Sequence, residues 1–582
     1  MQEQQEPRGG AADARDPWLR TYFTNRLAML DRDRSTYWPV WKDLTQQFAP
    51  YRGKFLTGAS DSKRGSRKDQ RLINNTGLLA VRTMASGMQA GISSPAEPWF
   101  ILRLKNTDAE RDAAVKFWLY AVRDILLDII GSSNLYNCLH TLYGNLGTVG
   151  TAALYIDEDE EDIVRGYVLA TGEYWLASSK RLAVDTLYRS IWWTVRQIVD
   201  KFGRDVVSAG IRSNYDSGQL DLEYEIIHAI EPNPNAAPPM ARIPKGSAFP
   251  WDGRLSSQLP FRSVWFERAA QSERSLLRVS GYEEFPCMAP RWEIDGSDTY
   301  GFGPGHVAIG DSQAMQIQER RKSEVTDKLS KPPMKGPASL QNQPASLIPG
   351  GLTIVAEGQT SKFEPAVKYD PTGISVIRED VLDKQNRINA AFYADLFLMM
   401  LESDRRLITA REVDERHEEK MLMLGPVLER LHDELLDPFV KRVFNIAARN
   451  GMIPPPPQGL NLADLQIEFV SMLAQAQKAV TTASMERFVQ MTGGLVGLGF
   501  DSARDRLDVD EFMDTYADRT GVPTKIVVPL DKANENREAK AQKQAQQEAL
   551  VTAASIAGIG KTASEIDVGG GANAVSALTG RA

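Results

Sequence analysis

The segment GIGKT at residues 558–562 is the part of the sequence that most resembles a catalytic motif. In P-loop ATPases a glycine five residues before the GKT glycine lets backbone amides surround the nucleotide phosphates. Here that position holds Ser555, and the neighbouring residues, rich in Ala, Gly and Ser, predict neither the preceding strand nor a following acidic residue for Mg²⁺. The sequence therefore argues against an ATPase.

Histidine and cysteine, the usual metal ligands and nucleophiles, are few and scattered, with five His and two Cys in the chain. His417 is followed by glutamate on a predicted helix, but the zinc-protease pattern HExxH requires a second histidine where Met421 stands. Cys138 and Cys287 are far apart and lie in no CxxC spacing. We predict no catalytic residue, no metal site and no other cofactor.

Two further patterns suggest chemistry only at first sight. Gly301, Gly303 and Gly305 do not have the GxGxxG spacing of a dinucleotide site, and no βαβ unit follows them. We interpret them as hinge glycines or as glycines at the start of a helix. The acidic run from Asp157 to Asp162 is contiguous, which is typical of a solvated loop rather than of a paired-carboxylate active site.

The overall charge limits the kinds of partner. A formal charge of −8 and an isoelectric point near 5.5 argue against a protein that grips nucleic acid through many phosphate contacts. The negative charge is still compatible with DNA that slides past a weakly attractive surface, because each strong ion pair to a phosphate would have to break at every step. No apolar window approaches the roughly 20 residues of a membrane span, and no secretory signal is evident. We expect a protein made in the cytoplasm, with no membrane partner.

The elements that would position any functional residue begin with an α+β region. Residues 1–16 are polar, which is typical of a flexible arm. Apolar residues at helical spacing predict helices between Trp18 and Pro50, from about Asn75, and from Asp108 to Ile130. Short aromatic and β-branched segments then predict an antiparallel sheet. These segments are Ala152–Ile156, Tyr167–Ala170, Ser190–Val195, Leu222–His228 and Ser263–Arg268. Trp99–Leu102 is predicted as a separate strand.

The second half of the chain is predicted to be mainly helical, with prolines and glycines at the breaks. The first elements are a helix from Pro304 to Ser330, a Pro/Gly-rich insert with short strands, and a second helix from Pro371. A polar break at 402–406 precedes a helix that the capping box TARE opens at 409–412 and that Gly425 and Pro438 divide. Two further helices follow, from Ala463 to Met491 and from Val509 to Tyr516, and then a tail without apolar periodicity from Val551.

This order resembles the portal proteins of tailed bacteriophages, and is most similar to the head-to-tail connecting proteins of short-tailed phages. Each shared segment is weak alone, and their common order is the specific feature. The segments are INNT (73–76), MASGM (84–88), SPAEPWF (94–100), YGFGPG (300–305), KPP (331–333), ITAREV (408–413) and LLDP (435–438).

The resemblance implies an α+β, mainly helical subunit with wing, stem, clip and crown regions that assembles into a ring. The implied regions are a flexible N-terminal arm (1–16), a wing (17–302), a first stem helix (303–330), a clip (331–370), a second stem helix (371–397), a channel loop (398–408), a wing helix (409–450), a crown (451–530) and a C-terminal tail that forms a barrel or is disordered (531–582).

The implied function is structural rather than enzymatic. About twelve copies would surround the DNA channel at one capsid vertex of the virion, through which the genome is packaged and ejected. Twelve helices with axes about 8–10 Å apart give a circumference of about 110 Å and an axis-to-axis diameter of about 35 Å. Removing about 5 Å of helix radius on each side leaves a bore of about 25 Å, wide enough for duplex DNA.

The same resemblance implies partners and site residues. The partners would be other copies of the chain, double-stranded DNA, the large terminase subunit, head-tail adaptor or tail proteins, and the major capsid and scaffolding proteins. The residues that would face DNA are Arg405, Arg406, Ser403, Arg320, Arg321, Lys322 and Lys328. Those that would bind partners at the clip are Lys331, Lys335 and Ile354.

Two alternatives belong to other classes. Another virion ring protein, such as a head-tail adaptor or an ejection protein, would share the structural role, but adaptors are usually much shorter than 582 residues. A DNA-packaging ATPase or a nuclease would be an enzyme, and the incomplete P-loop and the lack of a clustered carboxylate or histidine site argue against it.

Overall fold

A computed structural model of the chain describes residues 17–51, 72–104, 113–237, 256–270, 276–331, 334–335, 364–365, 372–402, 424–457, 465–470, 487–494 and 536–547, with single positions at 509, 512, 513, 516 and 533. The chain divides into two compact units, Met1–Ala474 and Gln475–Ala582. The predicted arm 1–16 and most of the predicted tail lie outside the described residues. The α+β class predicted from the sequence is confirmed.

The helices are α1 (Pro17–Ser35), α2 (Trp38–Phe48), α3 (Thr76–Ile92), α4 (Ala113–Ser132), α5 (Leu135–Val149), α6 (Val195–Phe202), α7 (Ala209–Asp216), α8 (Pro304–Ser330), α9 (Thr372–Ala391), α10 (Ala394–Glu402), α11 (Gly425–Leu431) and α12 (Asp437–Arg449). The strands are β1 (Phe100–Leu104), β2 (Ala153–Asp159), β3 (Ile163–Leu169), β4 (Tyr174–Ser178), β5 (Val184–Thr194), β6 (Glu223–Pro232), β7 (Phe261–Glu267), β8 (Leu276–Tyr282), β9 (Cys287–Met288), β10 (Met334–Lys335), β11 (Glu364–Pro365) and β12 (Leu465–Phe469).

The predicted antiparallel region forms two sheets, and the larger has five strands in the order β4-β5-β6-β7-β8. Its side chains alternate between two cores, as the two-residue repeat of a strand requires. Ile227 and Val264 face α1, where Phe23 and Leu27 are buried. Ile226, Trp265 and Leu277 face the opposite way, toward α6 and α7. Helices on both faces therefore exclude water from this sheet.

A second, three-stranded sheet has the order β3-β2-β9 and contains much of the acidic run. Asp157 to Asp159 lie in β2, and the next three residues form the turn to β3. The acidic run was predicted to be a loop, which is right for the turn at 160–162 and wrong for Asp157 to Asp159. Glu158 pairs with Arg449 of α12 at 2.5 Å, so this carboxylate helps to attach α12 to the sheet.

The predicted helix from Ala463 to Met491 is wrong at its beginning. Leu465–Phe469 is strand β12, which pairs antiparallel with β1, so that Phe469 lies opposite Phe100. Trp99 stacks on Phe469 with 6.1 Å between the ring centroids. The partner strand lies some 360 positions earlier in the chain, and tertiary pairing of this kind outweighs local helical periodicity. Part of the predicted crown thus pairs with part of the predicted wing.

His228 lies at the centre of a buried polar cluster between the two sheets. The Nε of Arg189 donates to its Nδ1 at 3.1 Å, and the ring stacks on Trp265 with 3.7 Å between centroids. Its Nε2 lies 2.9 Å from the Ser263 hydroxyl. With Nδ1 as an acceptor the ring is neutral. Burial, together with the positive charges of Arg189 and Lys201, places the pKa of His228 well below its usual value.

This burial predicts a loss of stability in mild acid. In the unfolded chain His228 takes up a proton near pH 6.5, whereas the folded protein holds it neutral, so the free energy of unfolding falls as pH drops below about 6.5. One such histidine contributes at most about 1.4 kcal/mol per pH unit. His228→Asn retains an acceptor for Arg189. In this variant we expect the free energy of unfolding, measured in urea, to differ less between pH 7.5 and 5.5 than in the unaltered protein, by about 1.4 kcal/mol. An unchanged difference would assign the acid sensitivity to other groups.

Candidate channel-forming helix pair

Helices α8 and α9 pack along each other in opposite directions and are joined through the short β10–β11 pair. Arg387, late in α9, lies 3.9 Å from Asp311, early in α8, which fits this antiparallel arrangement. The first half of α8 packs on α2 and α5, and α9 also packs on α3. These are the two helices predicted as stem rods.

Close backbone approach explains the glycines at the start of α8. A Cβ on Gly305 would lie 2.2 Å from the carbonyl oxygen of Thr148, and one on Gly301 would lie 2.5 Å from that of Glu293. Gly303 is the residue just before the helix, and its backbone N–H donates to Nδ1 of His306 at 3.2 Å. The prediction of helix-start glycines is confirmed. They allow α8 to begin directly against the end of α5.

A side-chain amide fixes α8 farther along its length. Gln316 is only 7% exposed, and its Oε1 accepts from the backbone N–H groups of Ile73 and Asn74 at 2.8 and 2.9 Å. Its Nε2 donates to the carbonyl oxygen of Asn74 at 2.8 Å. Gln385 of α9 donates to the hydroxyl of Thr76 at 3.2 Å. The INNT segment thus connects both helices of the pair to the start of α3.

The MASGM segment of α3 also contacts the helix pair region. A Cβ on Gly87 would lie 2.3 Å from the side chain of Phe397 in α10, and Met84 occupies the space above Gly147 of α5. The small residues at this crossing let α3 pack closely against α5 and α10. Three of the segments that carry the family resemblance, INNT, MASGM and YGFGPG, therefore lie near the start of α8 and the end of α9.

Burial along α8 changes sharply at Gln316. Residues 304 to 316 include six buried residues, whereas residues 317–330, all of which the structure describes, are half-buried or exposed. Large apolar side chains on the pair are nevertheless open to solvent, with Ile317 52% exposed and Val376 65% exposed. Val307, Leu382 and Leu398 are exposed as well. Apolar surface of this extent is typical of a face that contacts another chain.

The predicted DNA-facing cations of α8 separate into two groups. Arg320, Arg321 and Lys328 are exposed and share one side of the helix, as their spacing of 100° per residue requires. Lys322 points to the other side, is half-buried, and pairs with Glu319 at 3.0 Å. Lys322 therefore has a structural contact that the sequence did not indicate.

The other predicted site residues are less well placed. Lys331 follows α8 and is exposed, and Lys335 lies in β10, which pairs with β11. Ser403, Arg405, Arg406 and Ile354 lie outside the described residues. No set of three or more His, Cys, Asp or Glu side chains within the described ranges could hold a metal ion.

The predicted second rod is not one continuous helix. α9 ends at Ala391, and α10 begins at Ala394 after a break at which Tyr393 has a φ of +54°. A left-handed backbone is strained for a tyrosine, and here Phe392 on the preceding position is buried against Phe48. Helix α10 extends to Glu402, so the first residues of the predicted channel loop are helical.

Comparison with known proteins identifies the chain's relatives. The family model described as bacteriophage head to tail connecting protein matches residues 20–527. This chain belongs to that family.

Two curated relatives align with this head-to-tail connecting protein over nearly its full length. The portal protein of Salmonella phage epsilon15 is 38% identical over 544 residues, which cover 93% of this chain and 94% of the relative. The probable portal protein of Bordetella phage BPP-1 is 38% identical over 535 residues, covering 91% and 93%. The family predicted from the sequence segments is confirmed.

Two contacts of this connecting protein were not predicted from the sequence. Gln316 and the Arg291–Glu434 ion pair hold the helix pair and the C-terminal helices in place. The only sequence signal for the Gln316 contact is the polar INN segment before an apolar helix. The Arg291–Glu434 pair has no local signal, because it joins residues 143 positions apart. Among helices of the described part of the chain, none has both the length and the apolar character to cross a membrane.

Proposed function

We propose that this head-to-tail connecting protein is the portal subunit of a tailed phage, about twelve copies of which form a ring around a DNA channel at one capsid vertex. The genome is packaged and ejected through that channel. Helices α8 and α9 form the stem, the segment between them forms the clip, and the α+β region before them forms the wing. The family membership and the two portal relatives support this role.

The observation that carries the proposal is the exposed apolar surface of the helix pair. Val376 and Leu382 on α9 are exposed large apolar residues among the described residues, and their spacing places them on two different sides of the helix. A closed ring buries two different patches per copy, one toward each neighbour. Two packed helices offer such patches, and burying them removes apolar side chains from water.

Charge on the same helices is consistent with a channel. Arg320, Arg321 and Lys328 are exposed cations on one side of α8, and they attract phosphate without forming a continuous basic surface. We assign these residues, with Ser403, Arg405 and Arg406 of the channel loop, to the DNA-facing surface. Lys322 is withdrawn from that set because of its ion pair with Glu319.

The clip is assigned to docking. β10 and β11 form a two-residue antiparallel pair, and short strands with open edges can add strands from other chains. Lys331, Lys335 and Ile354 are the proposed contact residues there. The packaging motor with its large terminase subunit would bind first, and the adaptor or tail proteins afterwards. The major capsid and scaffolding proteins would contact the wing.

The test is the assembly state of purified protein. We expect rings with a central hole in negative-stain images and a mass of about twelve subunits by native mass spectrometry. Val376→Asp and Leu382→Asp each place a charge on a proposed contact patch, so both variants should remain folded by circular dichroism and lose the ring. Val206→Asp, at an exposed valine after α6, is the matched control and should form rings normally. Monomers of the unaltered chain at all concentrations would contradict the proposal.

A further inference from the structure

An exposed stripe on α1 combines aromatic, apolar and basic side chains. Trp18 is 66% exposed and Met29 is 59% exposed, although α1 buries its opposite face on the five-stranded sheet. Trp18 stacks on Tyr22 with 5.6 Å between ring centroids. These residues, with Arg26, line an open groove of about 350 Å³. Arg32, nearly three turns beyond Tyr22, lies on the same stripe and is exposed.

Helix α4 carries a second exposed stripe of opposite charge. Phe117 is 77% exposed, which is unusual for a phenylalanine on a helix that packs against β1 and α12. Asp124 and Asp128 are exposed, and their spacing from Phe117 of seven and eleven residues places all three on one face. Asp124 also pairs with its neighbour Arg123 at 2.6 Å. Ala121 lies between them on that face.

The two stripes match in order and spacing. On α4 the aspartates lie about 10 and 16 Å along the helix from Phe117, at 1.5 Å per residue. On α1 Arg26 and Arg32 lie about 9 and 18 Å from the midpoint between Trp18 and Tyr22. If the two helices run in the same direction with Phe117 over that midpoint, Asp124 meets Arg26 and Asp128 meets Arg32.

We infer that α1 of one copy packs in parallel on α4 of a neighbouring copy and forms a wing-to-wing interface. The two stripes are exposed in the same chain, so they do not cover each other within one copy. They are unlike patches on different elements, which is the arrangement that a heterologous contact in a closed ring requires. The second copy is favoured as the occupant because both the apolar and the charged parts of the stripes are complementary. This inference rests on the proposed ring.

Chemical cross-linking tests the contact directly. In the full-length double variant Asn25→Cys/Ala121→Cys, a bismaleimide that spans the about 8–10 Å between packed helices should produce a ladder of covalent multimers. Each single variant should lose the ladder, because the natural Cys138 and Cys287 are both buried.

A charge exchange provides an independent readout. Asp128→Arg should lower the yield of rings, and adding Arg32→Asp to the same chain should restore it.

The outcomes separate this inference from the proposed function. Rings that form without cross-linking in the double-cysteine variant would show that the α1 stripe faces something other than a second copy, and would overturn the inference while leaving the ring intact. If adding Arg32→Asp does not restore the yield of rings lost in Asp128→Arg, the proposed alignment of α1 with α4 is also contradicted. A chain that forms no rings would remove both proposals together.

Discussion

Replacing Gly305 by alanine should destabilise the protein by about 3 kcal/mol and lower the yield of assembled rings. The added methyl carbon would lie 2.2 Å from the carbonyl oxygen of Thr148 and 3.2 Å from that of Gly147. Both are backbone atoms at the end of α5, so no side chain can rotate away to make room. The start of α8 would have to shift, and with it the position of the whole helix. Thermal or urea unfolding measures the first effect and negative-stain imaging the second.

Gly310→Ala is the matched control for this prediction. It makes the same change five residues later in α8, where an added Cβ has no atom within 4 Å. Because alanine is the better helix former, this variant should be neutral or more stable by up to about 1 kcal/mol. Equal stability of the two variants would mean that the backbone of α8 does not need its close approach to α5.

The sequence predicted the elements with strong local signals. Pro304 and the preceding glycines predicted where α8 begins, and the structure starts that helix at Pro304. Short aromatic and β-branched segments predicted an antiparallel sheet region, which is present as a five-stranded and a three-stranded sheet. Pro438 predicted a division within the later helix, and a π-helical turn at His432–Leu436 separates α11 from α12, which begins at Asp437. In each case a few neighbouring residues determine the backbone.

Long-range strand pairing, and the side of a helix on which each charge lies, could not be predicted in this way. Strand β12 has no local strand signal strong enough to separate it from a helix, and it depends on pairing with β1. Lys322 has the same charge and similar neighbours as Arg320 and Arg321, and only its position on the helix gives it a partner in Glu319. The channel residues were therefore grouped by charge, while the fold divides them by side of the helix.

Removing the Glu434 carboxylate should produce the other large effect, a loss of about 3–5 kcal/mol in Glu434→Ala. The Arg291 side chain is 2% exposed, and its Nη2 lies 2.5 Å from Glu434 Oε1. The backbone N–H of Arg291 also donates to this carboxylate at 2.9 Å. Without Glu434 the guanidinium would stay buried with only carbonyl partners, those of Leu182 at 2.7 Å and Asp298 at 3.4 Å. Unfolding in urea measures the loss.

Two comparison variants separate burial of this pair from ion pairing in general. Asp216→Ala breaks the bidentate contact with Arg204 on the surface, where about half of each side chain is exposed, and should leave the urea midpoint nearly unchanged. Arg291→Met/Glu434→Leu removes both buried charges and should recover much of the stability lost in Glu434→Ala. If the double variant is as unstable as the single one, the hydrogen bonds of Arg291 to Leu182 and Asp298, rather than its unpaired charge, hold the segment before α8 in place.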